Sequence, residues 1–114
     1  MLTTILIASL YYCSNALGEG GTRTAQGGRC DPKASAAAHR SLPFGTILNV
    51  CLARKCVAVT VNDRGPFIWG RDLDLTHEAA RRLGMVARGV ARVRVSAPLP
   101  KPHPAKTMIA EWQP

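Results

Sequence analysis

With 114 residues the chain has room for one domain, and a core of that size gains materially from cross-links. A hydrophobic content of 46% excludes wholesale disorder, while an aromatic content of 5% leaves the core to Val, Leu, Ile and Ala. The formal charge of +8 favours anionic partners, yet the arginines form no run of five and no helix-turn-helix, zinc-finger or RNA-binding signature accompanies them, so nucleic acid is disfavoured.

The first residues admit two readings. Residues 1–10 are apolar enough for a signal-peptide core, with Ser14-Asn15-Ala16 as a cleavage site, but no Lys or Arg precedes them. The stretch is too short to span a bilayer. The same residues read equally as a buried first strand over 4–12. Residues 18–28 carry five glycines and form a surface loop. Residues 32–40 form an Ala-rich turn or short helix, ended before Pro43. Strands follow at 46–51 and 56–61, joined by Leu52-Ala53-Arg54-Lys55 at hairpin length.

A helix is expected over 74–84, with Thr76 as N-cap, Glu78 suiting its positive start, Arg81 and Arg82 its far end, and Gly84 its left-handed close. Residues 90–95 alternate apolar and basic side chains, as a half-exposed strand does. Residues 96–114 hold five of the eight prolines and read as an extended or flexible tail. Short strands with one or two short helices and long excursions between them indicate a mainly β fold, a compact barrel.

Four cysteines, at 13, 30, 51 and 56, favour a disulfide framework and an oxidising compartment. Zinc is the rival, but Cys13 and Cys30 are not a second close pair, and His39, His77 and His103 lack finger spacing. Cys51 and Cys56 flank the hairpin turn, where a bridge would staple two strands. The favoured pairing is Cys51–Cys56 with Cys13–Cys30. No metal or organic cofactor is implied.

Three blocks of residues resemble the rare lipoprotein A (RlpA) family of six-stranded double-psi β-barrels. The first runs Arg23-Thr24-Ala25-Gln26-Gly27, then Ala37-Ala38-His39-Arg40-Ser41-Leu42-Pro43-Phe44-Gly45-Thr46. The second is Val61-Asn62-Asp63-Arg64-Gly65-Pro66-Phe67 with Gly70-Arg71. The third is Asp74-Leu75-Thr76, Leu83-Gly84-Met85 and Gly89-Val90-Ala91. Ala8-Ser9-Leu10-Tyr11-Tyr12 is similar to the family's opening strand, which favours a strand there with any export signal lying upstream. The resemblance implies a barrel domain over 1–97, a Pro-rich tail over 98–114, and a monomer acting outside the cytoplasm.

The family includes lytic transglycosylases that cleave peptidoglycan glycan strands, especially strands stripped of stem peptides. In that reaction the 6-hydroxyl of N-acetylmuramic acid attacks its own anomeric carbon and gives a 1,6-anhydro end. One carboxyl can donate to the leaving oxygen and accept the hydroxyl proton, whereas hydrolysis commonly employs two. The resemblance points to Asp63 as that carboxyl, His39 as its helper and Asp74 as a third member. Each has a plainer role open to it: Asx-turn, structural histidine and helix-start charge respectively. Asp31, Arg40, Arg64, Arg71 and Phe67 are expected to line the substrate groove, where arginines could pair with the lactyl carboxylates of peptide-free strands. Solvated surface charge explains those arginines nearly as well. One departure stands out: where the family carries a Glu after Arg-Thr-Ala-x-Gly, this chain has Gly28. An expansin-like module that binds or loosens wall glycan without cutting it is therefore the alternative.

Overall fold

In the computed structural model, the described residues are 3–11, 24–27, 31 and 33–97. They form six strands and one helix: β1 (Thr3–Tyr11), β2 (Ala36–Ala38), β3 (Ile47–Leu52), β4 (Lys55–Asp63), β5 (Leu73–Thr76), α1 (His77–Leu83) and β6 (Val90–Ser96). The strands close into a barrel in the order β1-β5-β2-β4-β3-β6. Two pairs, β1/β5 and β2/β4, run parallel, and the other contacts are antiparallel. This is the double-psi arrangement, and closure leaves no strand edge unpaired.

Period-two alternation decides which side chains enter the barrel. Val57, Val59 and Val61 of β4 are buried, as are Ala91, Val93 and Val95 of β6, while Arg92 and Arg94 face outward. Leu48, Val50, Leu73, Leu75 and Met85 complete the core. Each fully buried Val or Leu contributes about 1.5–3 kcal/mol, so this barrel is held by aliphatic packing rather than aromatics. Helix α1 adds Ala79, Ala80 and Leu83 to that core. Its N-cap is Thr76, whose hydroxyl accepts from the Ala79 amide at 3.4 Å and donates to the Ala34 carbonyl at 2.8 Å. Gly84 closes it at φ 76°, as its position in the sequence suggested.

Two local expectations change. The Ala-rich segment contributes a strand, β2, and not a helical turn. Its three alanines are buried between β4 and β5, where no larger side chain is needed, so barrel pairing overrides helix propensity. Asp74 and Leu75, at the start of the 74–84 helical piece, belong to β5 instead, while Thr76 caps α1, which starts at His77, as its residue type indicated. Residues 3–11 are a strand of the barrel, so the strand reading of the N-terminal region holds for them. No helix among the described residues is long and apolar enough to cross a membrane.

The hairpin is tighter than its sequence suggested. Leu52 pairs with Lys55, leaving Ala53 and Arg54 as the turn, with Ala53 at φ 55°. Cys51 faces Cys56 across it and the two are disulfide-bonded; Cys13 and Cys30 lie outside the described residues. Because the bridge closes a short loop, its contribution is at the lower end for disulfides. The double variant Cys51→Ala/Cys56→Ala should still fold but lose about 2 kcal/mol, measurable as a lowered midpoint in denaturant unfolding.

Candidate functional site

A single irregularity places Asp63. Along β4, Val57, Val59 and Val61 point inward, so strict alternation would send Asp63 into the core as well. The register instead shifts between Ala37 and Ala38: Ala37 pairs with Val61, but Ala38 pairs with Asp63. This β-bulge at Asn62 turns the carboxylate to the opposite face. There Ala38 is also the partner of Asp74, and Asp74 is the partner of Ser9. Asp63, Ala38, Asp74 and Ser9 thus form one row across four strands. The two acids flank a methyl group, with their Cα atoms roughly 10 Å apart, two strand spacings.

Each acid is held differently. Asp63 Oδ1 accepts the amide hydrogens of Ala25 at 2.7 Å and Arg64 at 2.9 Å. Its other oxygen takes no hydrogen bond among the described residues. The segment 24–27 is anchored beside it through the Gln26 amide and the Asn62 carbonyl, 3.3 Å apart. Asp74 Oδ1 accepts the Ser9 hydroxyl at 3.0 Å. Burial pushes the Asp74 carboxyl above its usual value and Asp63 adds to this, while the Ser9 bond and Arg71 oppose it.

Tyr11 belongs to the same face, two residues beyond Ser9 on β1 and paired with Thr76. Its hydroxyl is buried without a hydrogen-bond partner among the described residues. Burial raises its pKa, and the carboxylates of Asp63 and Asp74 raise it further. The phenol therefore stays protonated beside both acids, a donor with no acceptor engaged. Only the register of β1 against β5 reveals this placement; in sequence Tyr11 is merely one aromatic of an opening strand.

His39 follows β2, and its amide donates to the Asp63 carbonyl at 3.2 Å. The His39 ring makes no hydrogen bond to Asp63 among the described residues. The imidazole instead anchors its own loop, Nδ1 accepting the amides of Ser41 at 3.1 Å and Leu42 at 3.0 Å. With Nδ1 occupied as an acceptor, the neutral ring carries its proton on Nε2. Burial, then Arg40 and Arg64, lowers its pKa below the ordinary 6.5, against a smaller pull from Asp72.

The expected groove residues separate into two groups. Arg64 turns away from its neighbour Asp63: its Nη1 donates to the carbonyls of His39 at 3.1 Å and Leu42 at 2.8 Å, and its guanidinium lies 3.9 Å from the Phe44 ring centre. Arg40 donates to the Pro66 carbonyl at 3.0 Å and to the Arg71 carbonyl, and pairs with Asp72 at 3.4 Å. Both arginines brace loops. Arg71 and Phe67, together with Arg40, line an open cleft on the 66–72 segment. Asp31 is exposed in an Asx-turn, accepting the Lys33 amide at 2.9 Å, and makes no hydrogen bond to the acid row. Gly28 lies outside the described residues. Asp72, passed over in the sequence, ties the cleft to β1: its Oδ2 accepts the Ile7 amide, and its own amide donates to the Ile7 carbonyl, both at 2.9 Å. Among the described residues no three His, Cys, Asp or Glu side chains converge on a metal position.

A sequence profile described as lytic transglycolase matches residues 3–95, the whole barrel. The chain belongs to this family of RlpA-like double-psi barrels. Among curated RlpA proteins, the probable endolytic peptidoglycan transglycosylase of Nostoc is 52% identical over 91 residues, covering 78% of this chain and 24% of that protein. The endolytic peptidoglycan transglycosylase of Haemophilus influenzae is 41% identical over 80 residues, covering 68% and 28%. The chain thus spans about a quarter of the length of those RlpA relatives. Among solved structures, an apo expansin of Clavibacter michiganensis superposes with a TM-score of 0.67 at 25% identity, covering 90% of this chain and 54% of the expansin. The Streptomyces papain inhibitor superposes at 0.66 with 17% identity, covering 83% and 93%, a likeness of fold alone.

Two measurements check this geometry. Nitrogen NMR of the imidazole should show His39 as the Nε2–H tautomer at neutral pH, titrating below 6.5. For Asp74, a folded pKa raised above the usual 3.8 means that its stabilising contribution is complete below that value and is lost as pH rises through the raised one. Asp74→Asn keeps an oxygen for Ser9 and should lose less stability than the parent in thermal melts as pH rises above about 4.

Proposed function

We propose that this barrel is an endolytic peptidoglycan lytic transglycosylase acting outside the cytoplasm on peptide-poor glycan strands. The observation that carries the reading is the pair of acids in one row on either side of Ala38, one half-buried and bonded to Ser9, the other held by amides. Asp74, whose carboxyl is raised by burial, supplies the proton for the glycosidic oxygen. Asp63 receives the proton of the muramic acid 6-hydroxyl as that oxygen attacks C1. The sugar bond breaks, the anhydro ring closes and no water is consumed. Returning the proton from Asp63 to Asp74 restores the pair.

His39 offers its Nε2–H to a sugar oxygen, while its Nδ1 keeps the imidazole oriented. Arg71, which has no side-chain hydrogen bond among the described residues, is the groove cation suited to a lactyl carboxylate. Arg40 and Arg64 serve the site through loop geometry. Membership of the lytic transglycolase family and the names of the RlpA relatives support the reaction class. The disulfide supports an oxidising location.

A second reading is a non-catalytic wall-glycan module, favoured by Gly28 standing where the family has Glu and by the expansin likeness. Digestion of purified peptide-free glycan separates the two. The parent protein should generate 1,6-anhydromuramyl ends detectable by mass spectrometry, and Asp63→Asn should lower their rate by at least about 100-fold. Binding without new ends would support the module. New reducing ends without anhydro sugar would indicate hydrolysis.

A further inference from the structure

The segment between the two acids exposes three consecutive large apolar side chains, Phe67 at 80%, Ile68 at 57% and Trp69 at 97%. A soluble domain seldom shows such a run without using it. The segment is firmly held. The Arg71 amide donates to the Ile68 carbonyl at 3.1 Å, with Gly70 at φ 88°, so residues 68–71 form a turn with Trp69 and Gly70 at its tip. Positive φ at the third position is the type II requirement that glycine meets. At its base, Arg40 grips the Pro66 and Arg71 carbonyls, and Asp72 is bonded to Ile7. The tip is therefore an indole presented on a braced turn, at the edge of a cleft of about 410 Å³ that Phe67, Ile68, Arg40, Arg71 and Asp72 also line.

We infer that Trp69, with Phe67, forms a stacking subsite for a pyranose ring of the glycan strand, beyond the bond that the acids address. The inference rests on the glycan reading given above. A pyranose has an apolar C–H face and a polar rim, which an aromatic surface flanked by a guanidinium complements. Position favours it: Trp69 lies six residues after Asp63 and five before Asp74, so the shelf belongs to the connection joining the two acids. Arg71 links the two regions electrostatically, since it acts on Asp74 and lines the cleft.

A lipid surface is the competing occupant for an exposed Phe-Ile-Trp run on a basic protein. It fits less well, because Arg40, the other cation of this cleft, is exposed but already engaged by two carbonyls and Asp72.

The test uses the full chain, the variants Trp69→Ala, Trp69→Phe and Asp63→Asn, and purified peptide-free glycan strands. Trp69→Ala should bind the strands about tenfold more weakly. Its KM should rise by a similar factor while kcat changes less, the pattern for lost uniform binding. Trp69→Phe should recover most of the loss, and Asp63→Asn should bind like the parent. Because Trp69 is 97% exposed, melting temperatures should be unchanged. Unaltered binding and KM in Trp69→Ala, with a parent that binds and cuts, would overturn the subsite alone. Loss of sedimentation with phosphatidylglycerol vesicles in that variant, with glycan binding intact, would assign the shelf to a membrane instead. A parent that neither binds nor cuts glycan would overturn the functional reading and the subsite together.

Discussion

The extra residue in β4 is the constraint on which the site depends. An ionised carboxylate carried inward with Val57, Val59 and Val61 would enter an aliphatic core with no partner, at a cost of several kcal/mol. The bulge at Asn62 removes that conflict and creates the site in the same step. It keeps the Asp63 carboxylate out of the aliphatic core and sets Asp63 beside Ala38, in one row with Asp74. The neighbouring segments then have their places. Residues 24–27 lie where the Ala25 amide reaches Asp63, and His39 follows β2 where its own amide meets the Asp63 carbonyl. Ala38 matters because it is small, since a larger side chain in that row would separate the acids.

Around this row, positive charge works largely inside the protein. Arg64 ties the 39–44 loop to the end of β4, and Arg40 ties the 66–72 loop to its own ends. Guanidinium groups suit this task because one planar fork can satisfy several carbonyls at once. The loops that shape the cleft are therefore pre-organised before any ligand arrives, which lowers the ordering cost of binding. That rigidity also explains how Trp69 can remain exposed without folding back on the barrel. The barrel by itself does not specify a chemistry: a similar fold serves an expansin and a papain inhibitor, so an activity depends on the side chains the fold carries.

Much of this was legible along the chain. Apolar stretches at hairpin spacing marked β3 and β4, alternation marked β6, the cap residues Thr76 and Gly84 bounded the helix, and the cysteines at 51 and 56 marked the hairpin bridge. These features are short-range, so the forces that set them act between residues near one another in sequence. The motif blocks contain Asp63 and Asp74, which the barrel sets in one row on either side of Ala38. The 36–38 segment misled because Ala favours helix in isolation, while its parallel and antiparallel partners lie more than twenty residues away.

Tertiary structure alone decided what each polar group does. Nothing in the order of residues indicates that Arg64 faces Phe44 and carbonyls instead of the adjoining Asp63, or that Asp72 binds β1. The same holds for Tyr11, whose place beside both acids follows from the parallel pairing of β1 with β5. Sequence by itself determined which residues would be polar, apolar or turn-forming, and hence a mainly β barrel carrying Asp63 at a strand end. Closure of that barrel decided which of those polar groups share a face. The register of that row depends on partners 25 to 65 residues apart in sequence, and a one-residue shift exchanges one face for the other.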